Sequence, residues 1–204
     1  MTKAGWSKSE DVMPWIKGFG ILACMNLIAA ASLASAAPPG IKVPTVADPV
    51  KGLDLWRGAK VSMSVPQIKA LFHNATAPLR PTTLTGGEVD RLQLTGVDLM
   101  GHPAVAHFYF NENQLVSVQL SLADLKPSAS ARNLAEAQGI AADLSTQYGA
   151  SYDCGDKSFA DVAAYECKWL SKPLSIRLWY MDTAGQAPLF YLAYRQADDP
   201  GYNL

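Results

Sequence analysis

The chain has 204 residues, of which 17 are basic and 18 acidic, so its formal net charge is −1. A nearly neutral protein lacks the positive surface charge that attracts nucleic acid or an anionic membrane surface, so we expect neither as a partner. The length suffices for one domain of ordinary size with a hydrophobic core, or for two small halves.

Residues 1–36 have the layout of a secretory signal peptide. Lys17 precedes an uncharged run that extends to Ala37 and ends in small residues. A basic start, an apolar middle and a small-x-small cleavage site are the three parts of such a peptide. The tripeptide Ala34-Ser35-Ala36 fits the cleavage site, which predicts processing between Ala36 and Ala37.

Two alternatives stay open for this segment. Translation could begin at Met13 rather than Met1. The segment before Met13 is unusually long for the basic part of a signal peptide, and it contains acidic as well as basic residues. The uncleaved apolar run, of about 20 residues, could also stay in the membrane as an anchor. We interpret it as cleaved, since it ends in small residues. The mature chain then has no membrane span and is periplasmic or secreted.

Cysteine usage agrees with export. Removal of the signal peptide takes away Cys24 and leaves Cys154 and Cys167. An even pair in an oxidising compartment predicts a disulfide, and a loop of this length is worth about 3 kcal/mol. Zinc would need further ligands, and the histidine nearest to the pair in sequence is His107, far upstream. We therefore predict no metal site and no cofactor.

The first half of the folded part combines one helix with three strands. Residues 37–52 are rich in proline and glycine, which predicts an extended leader. Ser64 and Gln67 form a capping box at the start of a helix that should end near residues 73–74. A loop follows as far as residue 87. Strands are predicted at 91–97, 104–110 and 115–122, of which the last two alternate apolar and polar residues as a hairpin would.

The second half repeats this order with a longer helix. Apolar residues at spacings of three and four predict a helix over 131–148. Strands are predicted at 151–154, 163–170, 174–181 and 189–195, and residues 196–204 read as a polar tail.

Helices grouped against antiparallel hairpins predict an α+β fold. We expect two layers: an antiparallel sheet with two main helices packed on one face, and a loose helix-then-strands repeat. Residues 53–195 would form a single domain with halves 53–122 and 131–195.

The segment Met63-Ser64-x-x-Gln67-Ile68-x-x-Leu71-Phe72 resembles the opening of small bacterial envelope domains. These are the outer-membrane lipoproteins of the barrel-assembly machinery (SmpA/OmlA, or BamE, type) and domains with the fold of β-lactamase inhibitor proteins. The resemblance covers residues 58–122 and includes the predicted hairpin. It implies an envelope domain that binds other proteins and is not catalytic.

Signatures of catalysis are missing from the sequence. It contains no G-x-S-x-G, no P-loop and no H-E-x-x-H. We interpret His73, His102 and His107 as surface or turn residues rather than metal ligands, and no Ser/His/Asp set has a local signature. Acidic residues around Cys154 lack calcium-binding spacing and are interpreted as a solvated loop. We therefore favour a protein that is not an enzyme.

Four residues of the last two predicted strands form the candidate binding site. Arg177 and Trp179, with Tyr191 and Arg195 on the next strand, have the parity opposite to the expected core positions. Trp, Tyr and Arg are enriched at the centres of interfaces. We predict an exposed patch on the side of the sheet away from the helices, suited to an acidic protein partner. Coverage of this face by the leader or a helix stays open.

These observations favour an exported bacterial envelope or periplasmic domain whose partner is another envelope or secreted protein. Two alternatives remain: a secreted hydrolase-like enzyme with no recognisable motif, and a small-ligand carrier. A polar-lined pocket would favour the enzyme and an enclosed apolar cavity the carrier. An aromatic sheet face would favour protein binding.

Overall fold

The computed structural model describes residues 52–127 and 129–197. The predicted signal peptide, its cleavage between Ala36 and Ala37, the leader before residue 52 and the tail beyond residue 197 lie outside these residues. The described part contains strands β1 (Asp54–Trp56), β2 (Ala59–Lys60), β3 (Val89–Leu99), β4 (His102–Asn111), β5 (Gln114–Leu122), β6 (Asp153–Asp156), β7 (Val162–Ser171), β8 (Leu174–Thr183) and β9 (Leu189–Gln196), with helices α1 (Val65–Leu71) and α2 (Ser130–Tyr148).

Seven of these strands form one antiparallel sheet in the order β3-β4-β5-β9-β8-β7-β6. The strands β1 and β2 pair separately as a two-stranded ribbon. The predicted hairpins β4–β5 and β8–β9 are both present, and their alternating sequences explain why. Pairing of β5 with β9 joins the two predicted halves into one continuous sheet.

The predicted two-layer α+β fold with two main helices on one face of the sheet is wrong. The described residues form mostly antiparallel β-structure, in a seven-stranded sheet and a two-stranded ribbon. Helix α1 has only 7 residues, of which Ile68 is buried, so α2 is the one long helix of the described chain. Extended strands outweigh helices because β3, β4, β7 and β8 run to 10 or 11 residues each.

Strand β3 shows why the sequence pattern underestimated the sheet. Its pairing with β4 is irregular between Asp90 and Leu92 and again between Leu94 and Val97. A bulge adds a residue to one strand and shifts its side chains to the other face, so the period of two is lost. The prediction therefore recovered only residues 91–97 of the 11-residue strand.

The start of α1 follows the predicted capping box. The Gln67 side-chain oxygen Oε1 accepts hydrogen bonds from the backbone N–H and the hydroxyl of Ser64, at 2.8 and 2.9 Å. Pro66 lies in the first turn, where the missing N–H costs nothing. Phe72 ends the helix and its ring packs at 5.3 Å from that of Phe108, which fixes α1 against β4.

The hydrophobic core lies on one side of the large sheet. Its strand residues alternate along β4, β5, β8 and β9, and α2 contributes Ala137, Ile140, Ala141 and Leu144. Trp169 is 1% exposed and donates from Nε1 to Ser145 Oγ at 3.3 Å, which ties β7 to α2. Leu55 and Trp56 of the ribbon close the same core.

The predicted disulfide is confirmed. Cys154 of β6 and Cys167 of β7 are bonded and directly paired in the strand register. Cys167 is buried and Cys154 is exposed, so the bond fastens the edge strand β6 to the core. Neither helix of the described residues is long and apolar enough to cross a membrane.

Candidate functional site

The side of the large sheet opposite the core carries most of its polar side chains, and we call it the polar face. The strand register assigns residues to it: Val118, Leu120, Leu178 and Leu192 point into the core, so their sequence neighbours point the other way. Residues of the polar face are Gln93, His107, Tyr109, Ser117, Gln119, Ser121, Glu166, Lys168, Ser175, Arg177, Trp179, Met181, Leu189, Tyr191, Ala193 and Arg195.

All four residues of the predicted binding site lie on the polar face. Trp179 and Tyr191 are direct cross-strand partners, and both remain partly exposed. The Arg177 guanidinium carbon lies 5.2 Å from the centre of the Trp179 ring, within cation–π range. Met181 and Leu189 form the next cross-strand pair toward the hairpin turn. We call Trp179, Met181, Leu189 and Tyr191 the aromatic patch.

Arg177 belongs to a chain of ion pairs. Its Nε donates to Glu166 Oε1 at 2.6 Å, and Glu166 Oε2 lies 3.2 Å from Lys168 Nζ. Lys168 in turn donates to Asp153 Oδ2 at 3.2 Å. Burial alone would lower the pKa of Lys168, but its hydrogen bonds to Asp153 and Glu166 outweigh that and raise it. The positive charge of Arg177 is thus compensated within the protein.

Arg195 lies apart from the exposed patch. Its guanidinium pairs with the carboxylate of Glu88, and the two residues are 4% and 5% exposed. Glu88 belongs to the segment before β3, which folds back so that the Asp90 N–H donates to the Thr82 carbonyl at 2.9 Å. Arg195 is thus buried against a residue from a distant loop, and no local sequence signal indicates this pairing.

Two polar-face residues that the sequence analysis did not nominate, His107 and Ser121, are linked in a line with Asp90 of the neighbouring strand β3. His107 Nδ1 lies 2.8 Å from Asp90 Oδ2, and His107 Nε2 lies 3.1 Å from Ser121 Oγ. Asp90 is 2% exposed, whereas His107 and Ser121 are partly exposed. The alternation of the β4–β5 hairpin predicts that His107 and Ser121 lie on the same face of the sheet. The irregular pairing of β3 prevents the same prediction for Asp90.

A cavity of about 500 Å³ opens elsewhere, beside the two-stranded ribbon. Its wall combines Trp56 and Arg57 with Tyr148 at the end of α2 and Tyr194 of β9. The Arg57 guanidinium lies 4.9 Å from the Trp56 ring centre and donates to the Asp98 carbonyl at 3.0 Å. Burial raises the pKa of the Tyr148 and Tyr194 hydroxyls, so both are neutral at physiological pH.

Within residues 52–127 and 129–197, one group of side chains could hold a metal ion. Ligand atoms of His102, Asp124 and Glu136 lie within 4.8 Å of one another. The sequence analysis assigned no metal site and interpreted His102 as a surface or turn residue. These three residues come from β4, the loop after β5 and α2, so no local motif joins them. Glu136 Oε1 also accepts from Arg132 Nε at 2.9 Å, so a metal would compete with that ion pair.

Comparison with known proteins adds no relative to these observations. No protein-family model matches the chain, and no curated protein and no solved structure matches it.

Proposed function

We propose that this protein is an exported domain that binds another envelope or secreted protein through the aromatic patch. The observation that carries the proposal is the cross-strand pair Trp179–Tyr191, which stays partly exposed on the sheet face opposite the core. Beside it, Leu189 exposes 44% of its surface. Large apolar side chains gathered in this way are typical of the centre of a protein interface.

The patch is suited to binding because its members are held rigidly. Trp179 and Tyr191 lie in the middle of the β8–β9 ladder, so little conformational freedom is lost when a partner covers them. Arg177 stacks on Trp179, and its Nε donates a hydrogen bond to the Glu166 carboxylate, which holds the guanidinium in place. Rigid aromatic anchors of this kind contribute most of the affinity in many complexes.

The partner is recognised mainly by apolar contacts. Arg195 is buried with Glu88, and Arg177 is compensated by Glu166, so neither offers a free charge to an acidic surface. The earlier expectation of an acidic partner therefore loses its basis. We propose instead a partner that inserts aliphatic or aromatic side chains between Trp179 and Leu189, with polar contacts at the rim.

Export of the protein is part of the proposal. It is supported by the signal-type layout of residues 1–36 and by the Cys154–Cys167 disulfide, which persists in oxidising compartments. The resemblance of residues 58–122 to envelope domains agrees with this location.

Photo-crosslinking in the native cell tests the binding proposal. A benzophenone amino acid at position 191 should give one discrete protein adduct, and Trp179→Ala in the same chain should abolish it. The matched control carries the benzophenone at Leu79, which is 95% exposed in a loop. Equal adducts from both positions, or none from position 191, would contradict partner binding at the patch.

A small-ligand carrier is the second candidate, and the cavity beside the ribbon favours it. Its volume of about 500 Å³ lies within the range of ligand pockets. An apolar fluorescent dye such as N-phenylnaphthylamine should brighten on binding there. Leu174→Trp, which fills the cavity, should remove the signal, and Leu79→Trp should leave it unchanged. Unchanged dye fluorescence with the wild-type protein would exclude this candidate.

A further inference from the structure

We propose that Ser121, His107 and Asp90 form a catalytic triad that hydrolyses carboxylic esters. The two contacts that define such a triad are both present, at 2.8 Å between Asp90 and His107 and at 3.1 Å between His107 and Ser121. Nucleophile, base and orienting acid are recognised by this geometry and not by their order in the chain. The proposal does not rest on partner binding, although its substrate would contact Trp179 and Tyr191 of the aromatic patch.

The direction of the hydrogen bonds follows from the chemistry of the carboxylate. An ionised carboxylate only accepts hydrogen bonds, so His107 Nδ1 must carry the proton that faces Asp90. The neutral ring then presents a lone pair at Nε2, and the Ser121 hydroxyl donates to it. This is the tautomer that a general base needs in order to take a proton from a serine.

The orienting acid of the triad is buried, whereas its base and its nucleophile are partly exposed, as catalysis requires. Asp90 is 2% exposed, and its Oδ1 accepts no hydrogen bond from the described residues, so its negative charge is poorly solvated. Oδ2 of this carboxylate lies 2.8 Å from His107 Nδ1, where a positive charge would develop as the ring accepts the serine proton during the reaction. The side chain of His107 is 25% exposed, and Ser121 is partly exposed, so a substrate can reach both.

The sheet holds the three residues in place. His107 and Ser121 are diagonal neighbours on the paired strands β4 and β5, and the irregular pairing after Asp90 directs its side chain toward His107. Gln119 pairs with His107 and lies on the same face two residues before Ser121. Its carboxamide N–H groups are donors of the type that stabilise an oxyanion.

The reaction is ordinary acyl transfer to water. Ser121 Oγ attacks the ester carbonyl carbon while its proton moves to His107 Nε2, and the alcohol leaves with that proton. Water then attacks the acyl-serine and gives one proton to His107. The carboxylic acid departs as Ser121 recovers the proton, so ester and water are consumed and acid and alcohol are formed.

The neighbouring aromatic side chains indicate an aryl ester as substrate. Leu120 pairs with Leu192, and the residues that follow this last pair, Ser121 of β5 and Tyr191 of β9, are both on the polar face. Tyr191 pairs in turn with Trp179. An aromatic leaving group or acyl chain can stack on these rings while its carbonyl carbon lies at Ser121.

A fluorophosphonate probe and p-nitrophenyl acetate test the triad in the mature, disulfide-bonded protein. Wild type should be labelled at Ser121, with loss of fluoride, and should release p-nitrophenol above the buffer rate. Ser121→Ala should abolish both signals, and His107→Ala should reduce each by at least about 100-fold. The matched control Ser171→Ala, at an exposed serine of β7, should behave as wild type.

Two results would overturn the proposal. One is wild-type protein that is neither labelled nor active above the buffer rate. The other is labelling or turnover that survives Ser121→Ala. Melting curves of each variant show whether a loss of signal reflects unfolding, and Ser121→Ala should melt within a few degrees of wild type because Ser121 is partly exposed.

Asp90 acts through His107 and is a positioning residue. Asp90→Asn should lower kcat by at least about 100-fold and leave KM within about twofold, because the imidazolium loses its counter-charge while the aromatic side chains remain. If Asp90 only supports the fold, the variant should melt earlier, yet its folded fraction should keep the wild-type kcat. That second outcome would remove Asp90 from the triad.

Discussion

The carboxylate of Glu88 pairs with the guanidinium of Arg195, 107 residues further along the chain, and both side chains are buried. This pair connects the loop before β3 to the central strand β9. Loss of one partner leaves a buried charge without compensation, which costs about 3–5 kcal/mol.

Urea unfolding of single and double variants tests the pair. We expect Glu88→Ala and Arg195→Met each to lower the free energy of unfolding by about 3–5 kcal/mol. The double variant should be less destabilised than the sum of the two, because it buries no lone charge. Strict additivity would show that the two charges do not interact.

The two tryptophans of the second half offer a matched comparison. Trp169 is 1% exposed in the core, whereas Trp179 is partly exposed on the polar face. Trp169→Ala should therefore cost about 3–5 kcal/mol, and Trp179→Ala clearly less. Thermal unfolding followed by circular dichroism measures both. Equal losses would mean that Trp179 serves the fold, and the case for the aromatic patch would fail.

Reduction of the Cys154–Cys167 disulfide should destabilise the protein without unfolding it. A closed loop of this length is worth about 3 kcal/mol in the chain-entropy model. Urea unfolding with and without reductant should show that difference, and the double variant Cys154→Ser, Cys167→Ser should no longer respond to reductant. Labelling of the unfolded, unreduced protein prepared without residues 1–36, and so without Cys24, should find no free thiol.

Alkaline pH should destabilise the fold through Tyr194. Burial raises the pKa of this hydroxyl above its ordinary value, with a smaller contribution from Tyr148. A raised folded-state pKa gives stability that is complete below the ordinary tyrosine pKa of about 10 and is lost as the pH rises above it. Melting temperatures between pH 8 and 11 should fall less steeply for Tyr194→Phe than for wild type. Parallel curves would contradict this.

How far the sequence predicts this molecule depends on how regularly each element repeats. The hairpins around residues 104–122 and 174–195 alternate over most of their length, with one irregularity between Tyr109 and Phe110, so both were predicted with the correct partners. The strands of the β1–β2 ribbon are too short to show an alternation of apolar and polar residues. In β3 the irregular pairing interrupts that alternation. The dominance of β-structure was missed because β3, β4, β7 and β8 extend to 10 or 11 residues, beyond their predicted bounds.

The candidate sites were predictable only where one hairpin contains them. Trp179 and Tyr191 are close in sequence, so parity alone placed them together. Arg195 has the same parity, but its exposure depends on a distant loop that carries Glu88. Asp90, His107 and Ser121 are in contact because three strands pair side by side, and no short sequence motif indicates that contact.

The order of strands also constrains how the chain can fold. The series β3–β4–β5 and β7–β8–β9 each pair segments that are neighbours in sequence. The centre of the sheet instead forms when residues 117–120 pair with residues 192–195, which are far away in sequence. Such long-range closure slows folding, and until it happens the edge of β5 lacks its partner. A chain that crosses a membrane from its N-terminus would therefore complete its sheet only when nearly all of it has emerged.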